Sequence, residues 1–306
     1  MIPLVIGISV LSYAIIILAP GDPAKLLADP EKLTAESYIS MRAELGLDDP
    51  GPVRYLKTMS SLFTGELRSF RTQQRVVDAI GERLPTSLSL GILAILFGLV
   101  FGTLIGAIQA IKPYSRLDDI GTLLSLTGFS LPHFWFALML VLLFGVHLRW
   151  LPTSGIRPVT SSSWNPLEMA PYLVMPTIVL GTGLLAYVAR FVRSSMLDAL
   201  GQDYVRTARS KGLHEVAVII RHVLRTSLLP VITIAGFLLP LLIGGAVVVE
   251  YVFALPGMGR LAVDAVFARD YPVILTITIF SSIAVIVGNL VADVLYAVAD
   301  PRIRYG

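Results

Sequence analysis

Six apolar stretches constrain this chain more than any other feature. Met1–Pro20, Leu88–Ile111, Ile120–Val146, Pro171–Ala189, Leu228–Val249 and Pro272–Ala292 contain no Asp, Glu, Lys or Arg. A helix rises about 1.5 Å per residue, so roughly 20 apolar residues cross the hydrocarbon of a bilayer. Each stretch meets or approaches that length, and the expectation is an all-α membrane protein with six transmembrane helices. Composition agrees. Charged residues make up 15% of the chain, against about 25% in soluble domains, which leaves too few to coat a water-facing surface. A soluble enzyme, a nucleic-acid binder and a disordered chain are excluded together. No cysteine is present, so there is no disulfide framework, thiol nucleophile or thiolate metal site. The four His are scattered, and no metal site or catalytic constellation is read.

Orientation follows from the basic residues of the short loops. With both termini inside, segments 112–119, 190–227 and 299–306 are cytoplasmic. They hold Lys112, Arg116, Arg190, Arg193, Arg206, Arg209, Lys211, Arg221, Arg225, Arg302 and Arg304. The short outer loops hold only Arg149, Arg157, Arg260 and Arg269. The long 21–87 loop mixes both signs, and loops of that length translocate largely regardless of charge. The first span has no basic flank before it and no A-x-A-like cleavage site after it, so it reads as a retained helix.

The division expected is a first span over 1–20, an extracytoplasmic helical loop over 21–87, and a five-helix core over 88–306. In the outer loop, Thr34 is placed to cap a helix that Gly46 closes. Val53, Leu56, Met59 and Phe63 mark a second helix, and Val76, Val77, Ile80 and Leu84 a third short one. In the 190–227 segment, Tyr204, Val205 and Ala208 make a short helix closed by Gly212. Val216, Ile219, Ile220, Val223 and Leu224 then make one apolar face of the next helix, with Arg221, His222 and Arg225 off it. Two short helices with a glycine between them, lying under the membrane, form a docking surface for a soluble partner.

The run Gln202–Leu213, with Arg221-His222 and Leu229-Pro230 after it, resembles the cytoplasmic loop of bacterial ABC-importer permeases, in particular the B-type subunit of the dipeptide/oligopeptide/nickel branch. Ala19-Pro20-Gly21-Asp22-Pro23, Leu131-Pro132-His133-Phe134-Trp135, Glu250–Arg260 and Asp300–Tyr305 match the same branch, in order along the chain. The general importer loop carries Glu-Ala-Ala six residues before its glycine. Here that place reads Arg206-Thr207-Ala208, without the acid, although Asp203 lies three residues earlier.

The resemblance implies a type I ABC-importer permease, non-catalytic itself. It would form half of a pathway for di- or oligopeptides and work with a second permease subunit, two cytoplasmic ATPases and an external solute-binding protein. ATP and Mg would sit on the ATPases. No G-x-x-x-x-G-K-[ST] phosphate loop occurs in this chain, and no cofactor is expected on it. Asp203, Tyr204, Arg206, Thr207, Ala208, Lys211 and Gly212 would couple to an ATPase. Arg206, Arg209 and Lys211 fit either ion pairs with the partner's acids or ordinary charge flanking a membrane. For the pathway and gate, the hydroxyl and small residues give Ser125, Thr127, Ser130, Thr233, Ser281, Ser282 and Asn289, and the outer loop adds Glu250, Pro256 and Gly257. For each of the span residues, interhelical packing and hydrogen bonding is the favoured reading over pathway lining. His133 reads as a packed core histidine. Asp293 reads as an interfacial carboxylate at the end of its span, since a charge at mid-membrane is costly. The rival reading, a proton- or ion-coupled secondary transporter, calls for intramembrane charges that these spans nearly lack.

Overall fold

The computed structural model describes residues 2–18, 21–22, 24–25, 34–158, 165–228, 231 and 246–299, all helix, turn or loop apart from an isolated β-bridge between Arg68 and Arg75. The helices are α1 (Ile2–Leu18), α2 (Ala35–Glu44), α3 (Gly51–Phe63), α4 (Val76–Ile111), α5 (Arg116–Ser130) and α6 (His133–Leu140). After α6, Val141–His147 continues as a wider π turn. There follow α7 (Pro166–Leu200), α8 (Asp203–Ser210), α9 (Glu215–Val218), a π turn over Ile219–Leu224, α10 (Arg225–Ser227), α11 (Val247–Val252), α12 (Met258–Ala268) and α13 (Tyr271–Ala299). Helices α4, α7 and α13 are each long and apolar enough to cross a membrane, and α1 adds a shorter apolar helix. They contain or match four of the expected spans. The fifth, Leu228–Val249, lies mostly outside the described residues.

Two expectations change here. The stretch Ile120–Val146 is not one helix: α5 and α6 meet at 106°. Pro132 causes the break, because it has no N–H for the preceding turn and forces Leu131 out of the helical region, to φ −72° and ψ 125°. The third short helix of the outer loop is also not separate. It runs into the second span as one 36-residue helix through Pro85. The carbonyl that Pro85 leaves without a donor belongs to Gly81, which is exposed and open to water.

Helices α4 and α7 form the spine. Gly98, Gly102 and Gly106, one every four residues, lie on the α4 face against Leu184, Leu185, Val188, Ala189 and Val192 of α7. A Cβ on Gly106 would stand 2.4 Å from the Ala189 carbonyl oxygen, and one on Gly102 2.7 Å from that of Leu185. Small residues at this spacing let two backbones touch, which is how helices associate where lipid supplies no hydrophobic drive. Around the spine, Leu90, Ala137, Leu140, Leu173 and Phe253 pack one part of the core. Val188, Val192, Met196, Val205, Val218 and Val223 pack another.

Residues 69–71 fold against the start of α13. Thr34 caps α2 in a reciprocal pair with Ser37, and Gly46, at φ +63°, follows the helix as expected. The Asp270 carboxylate is buried. It accepts from the Ser69 hydroxyl, the Phe70 N–H (3.0 Å) and the Arg71 N–H (3.4 Å). Nearer α1, the Asp22 carboxylate takes hydrogen bonds from Tyr38 and Arg42. Burial raises the Asp22 pKa, but the Tyr38, Ala24 and Arg42 contacts outweigh it and hold the carboxyl below its usual value.

Candidate functional site

Helix α8 is built to stay in place while showing one face. It begins after the sharp turn at Gly201-Gln202, where Gln202 is extended. Val205 and Ala208, three apart and so on one face, are buried against Val188, Val192 and Met196 of α7 and Val218 and Val223 of the following turn. Burying these two side chains contributes about 3 kcal/mol. Asp203, Tyr204, Arg206, Thr207, Lys211 and Gly212 are all exposed. Ala208 therefore anchors the helix, and the other six of the expected coupling residues share its exposed side and C-terminal turn.

Gly212 has φ +76°, and no atom lies within 4 Å of the position a Cβ would take there. The turn needs the left-handed backbone and has room for a side chain, so glycine answers a conformational demand. Its N–H donates to the Arg209 carbonyl, closing α8. Across this turn, Arg209 makes two hydrogen bonds to the Glu215 carboxylate (2.6 and 3.2 Å). This pair fixes the elbow between α8 and α9, and the hydrogen bond from Arg209 holds the Glu215 carboxyl below its usual value. Arg209 is thus engaged within the chain. Arg206 lies only 3.6 Å from the exposed Asp203. The apolar face expected after Gly212 is also redrawn. The π turn over Ile219–Leu224 shifts its register, burying Val218 and Val223 and leaving Val216 and Ile220 more than half exposed.

Glu250, Pro256 and Gly257 come together, but Glu250 is no loop residue. It lies in α11 with zero exposure. Its carboxylate accepts from the Ser87 hydroxyl (2.7 Å) and from the N–H groups of Arg260 (3.0 Å) and Ala246 (3.3 Å). The Ser87 oxygen in turn accepts from the Met258 N–H (2.8 Å). A carboxylate and a hydroxyl thus satisfy the free N–H groups at the start of α12 and tie it to α4. A Cβ on Gly257 would fall 2.3 Å from the Glu250 Cδ, so the carboxylate requires glycine there.

The other expected pathway residues are not gathered at this clasp. Ser130 is exposed at the end of α5, and Asn289 is exposed on α13. Ser281 is half-buried, and Ser282 donates to the Thr278 carbonyl in its own helix (2.7 Å). Ser125 is buried and Thr127 exposed. Thr233 and the side chain of Asp293 lie outside the described residues. His133 is exposed at the start of α6 rather than packed in a core, because Pro132 turns the chain there.

Sequence reading does not find the ion pair near the C-terminal end of α4. Asp118 accepts from Arg193 through both oxygens (2.6 and 2.7 Å), and the Gln109 amide donates to the Asp118 carbonyl (3.2 Å) and to Thr122 (3.2 Å). This joins α4, α5 and α7. Gln109 stands out as the polar residue of its span, and that is the one signal the sequence offers.

The profile of the binding-protein-dependent transport system inner membrane component covers residues 98–305, and its N-terminal companion covers 1–91. The chain belongs to this family. It is 42% identical over 99% of its length to the oligopeptide transport system permease AppB of Bacillus subtilis, covering 96% of that protein. It is 37% identical to the dipeptide transport system permease DppB of Escherichia coli, with the same coverages. Among solved structures, an inward-facing form of the MetNI methionine ABC transporter matches with a TM-score of 0.59 at 15% identity. That match covers 73% of this chain and 97% of the solved one. An amino acid ABC transporter matches with a TM-score of 0.53 at 15% identity, over 72% of this chain and 94% of its own. These likenesses give the fold, that of a type I importer permease. The chain is accordingly a multi-pass, non-catalytic inner-membrane permease subunit of a binding-protein-dependent ABC importer.

Proposed function

We propose that this permease carries di- or oligopeptides and forms half of their pathway beside a second, similar permease. The curated relatives' names support the substrate class. Two cytoplasmic ATPases, holding ATP and Mg, would dock on α8, and an extracytoplasmic binding protein would deliver the peptide. Both termini lie in the cytoplasm, following the basic residues of the short loops. The working units are residues 1–20, 21–87 and 88–306. The observation that carries the reading is α8 itself, pinned to α7 by Val205 and Ala208 while Tyr204, Thr207 and Lys211 stay uncovered. Closure of the ATPase dimer would push α8, and the spine of α4 and α7 would pass the displacement on as a rigid body. The Glu250–Gly257 clasp and Pro256 sit where an outer gate would move. Ser130, Thr233, Ser281 and Asn289 are the pathway side chains.

The test is peptide uptake by proteoliposomes holding the whole complex, with the cognate binding protein outside and ATP on the ATPase side. The expected result is ATP-dependent uptake of a labelled dipeptide. Gly212→Leu should abolish it while leaving insertion of the chain intact. Uptake that ignores ATP and collapses with an ionophore would replace this reading with ion-coupled transport, and normal uptake by Gly212→Leu would remove the docking role.

A further inference from the structure

A cavity of about 350 Å3 lies between α5 and α7, lined by Gln109, Thr122, Ser125, Leu126, Phe129, Ala186, Tyr187, Arg190 and Arg193. Its two ends differ in chemistry. At the cytoplasmic end, the Asp118–Arg193 pair and Gln109 close the floor. Arg190, one helical turn outward of Arg193, is exposed and makes no ion pair or hydrogen bond among the described residues. Gln109 is 2% exposed, and its carbonyl oxygen has no donor among the described residues. Away from this end the walls are apolar: Leu126 and Phe129 on one side, Ala186 and the Tyr187 ring on the other. Phe129 stands about 16 Å along α5 from Asp118.

An unpaired guanidinium at the membrane boundary, above an apolar groove aligned with the helices, matches an amphiphile with an anionic head. We propose that this groove binds an anionic phospholipid of the cytoplasmic leaflet. The phosphate sits on Arg190, and one acyl chain lies against Leu126, Phe129 and Tyr187. Guanidinium suits phosphate because its donors match the oxygens in pairs. A headgroup bearing hydroxyls, such as glycerol, also offers the donor that Gln109 lacks. A peptide is the weaker occupant, since its backbone amides would face the apolar walls without partners. The proposal rests on the cytoplasmic placement of Arg190 given above. Two-sided labelling of a Lys112→Cys variant reads that placement independently of lipid.

The test uses the intact complex, delipidated in detergent and exchanged into nanodiscs of phosphatidylglycerol or phosphatidylcholine with matched chains. Lipid kept through re-extraction is then counted by native mass spectrometry. Wild type should retain phosphatidylglycerol over phosphatidylcholine by about tenfold: both lipids can place a phosphate on Arg190, but the choline ammonium offsets that charge and weakens the charge-assisted contact. Arg190→Ala should remove the preference, and Arg190→Lys should keep part of it. Leu126→Trp, at an exposed position, should fill the groove and lower retention of both lipids with the charge unchanged. Equal retention of the two lipids by wild type, or an unaltered preference in Arg190→Ala, would overturn the proposal. So would displacement of the lipid by millimolar inorganic phosphate, which would mark a site for soluble anions, or by excess dipeptide, which would mark a substrate site.

Discussion

Replacing Gly106 by Ala tests the spine where its geometry is tightest. The new Cβ would stand 2.4 Å from the Ala189 carbonyl oxygen and 2.9 Å from the Val192 Cβ. Ordinary carbon contacts begin near 3.5 Å, so α4 and α7 must separate by about 1 Å or bend. The first obstacle is backbone, which cannot swing aside as a side chain would. Overpacking of this kind costs about 1–3 kcal/mol, while the better helix propensity of alanine returns about 1 kcal/mol. The net expectation is a loss of up to about 2 kcal/mol, with weakened packing along the whole spine. The control lies in the same helix. Gly81 has nothing within 4 Å of its Cβ position, so Gly81→Ala should stabilise by up to about 1 kcal/mol. Thermal unfolding of both variants in one detergent, followed by far-ultraviolet circular dichroism, compares them directly. Equal shifts for the two, or a gain for Gly106→Ala, would refute the account of α4–α7 packing.

Three further outcomes follow from the polar clasps. Glu250→Ala should destabilise by about 3 kcal/mol, because it strands the Arg260 N–H and the Ser87 hydroxyl in a buried site; Ser87→Ala, which removes one bridge, should cost less, and both are read from unfolding midpoints. Asp118→Asn should cost about 3 kcal/mol, the lower end for breaking a buried pair, because the Arg193 side chain keeps 26% exposure. The α8–α9 elbow should depend on pH with a definite sign. Glu215 has a depressed carboxyl pKa in the folded chain, so its pairing with Arg209 is complete above the ordinary glutamate value and is lost as pH falls through the folded one. Hydrogen exchange of the 203–215 amides should rise on acidification in wild type, and the Glu215→Gln variant should lack that dependence.

Where local chemistry decides the structure, the sequence already shows it. Thr34 at a helix start, Gly46 and Gly212 at helix ends, and the uncharged runs of α1, α4, α7 and α13 need only their neighbours in the chain. The features that stay hidden depend on residues distant in sequence. Glu250 reads as a loop acid until Ser87, 163 positions away, and the Arg260 N–H surround it. Asp118 reads as a cytoplasmic surface charge until Arg193 meets it 75 residues later. The bend at Pro132 has a local signal, but the uncharged run through it points to a single span, and hydrophobic length alone does not register a turn. The π turn over Ile219–Leu224 has no counterpart in a 3.6-residue pattern, so that pattern places Val223, Ile219 and Leu224 correctly against the core but adds the exposed Val216 and Ile220 and misses Val218. Among the expected coupling residues, the pattern locates the helix, and only packing can distinguish the anchoring Ala208 from the uncovered Tyr204 and Thr207.

The chain contains no cysteine, which makes site-directed cross-linking the most direct test of the central claim that α8 meets an ATPase in the cytoplasm. Tyr204→Cys and Lys211→Cys would be introduced singly into the complex in inverted membrane vesicles and treated with a short thiol-to-amine cross-linker. Ser130→Cys, at the far end of α5, serves as the control. The account predicts an adduct with the ATPase subunit from both α8 positions, sensitive to added ATP, and none from Ser130→Cys. Absence of an α8 adduct alongside an assembled complex, or labelling of Tyr204→Cys only from the external face, would contradict it.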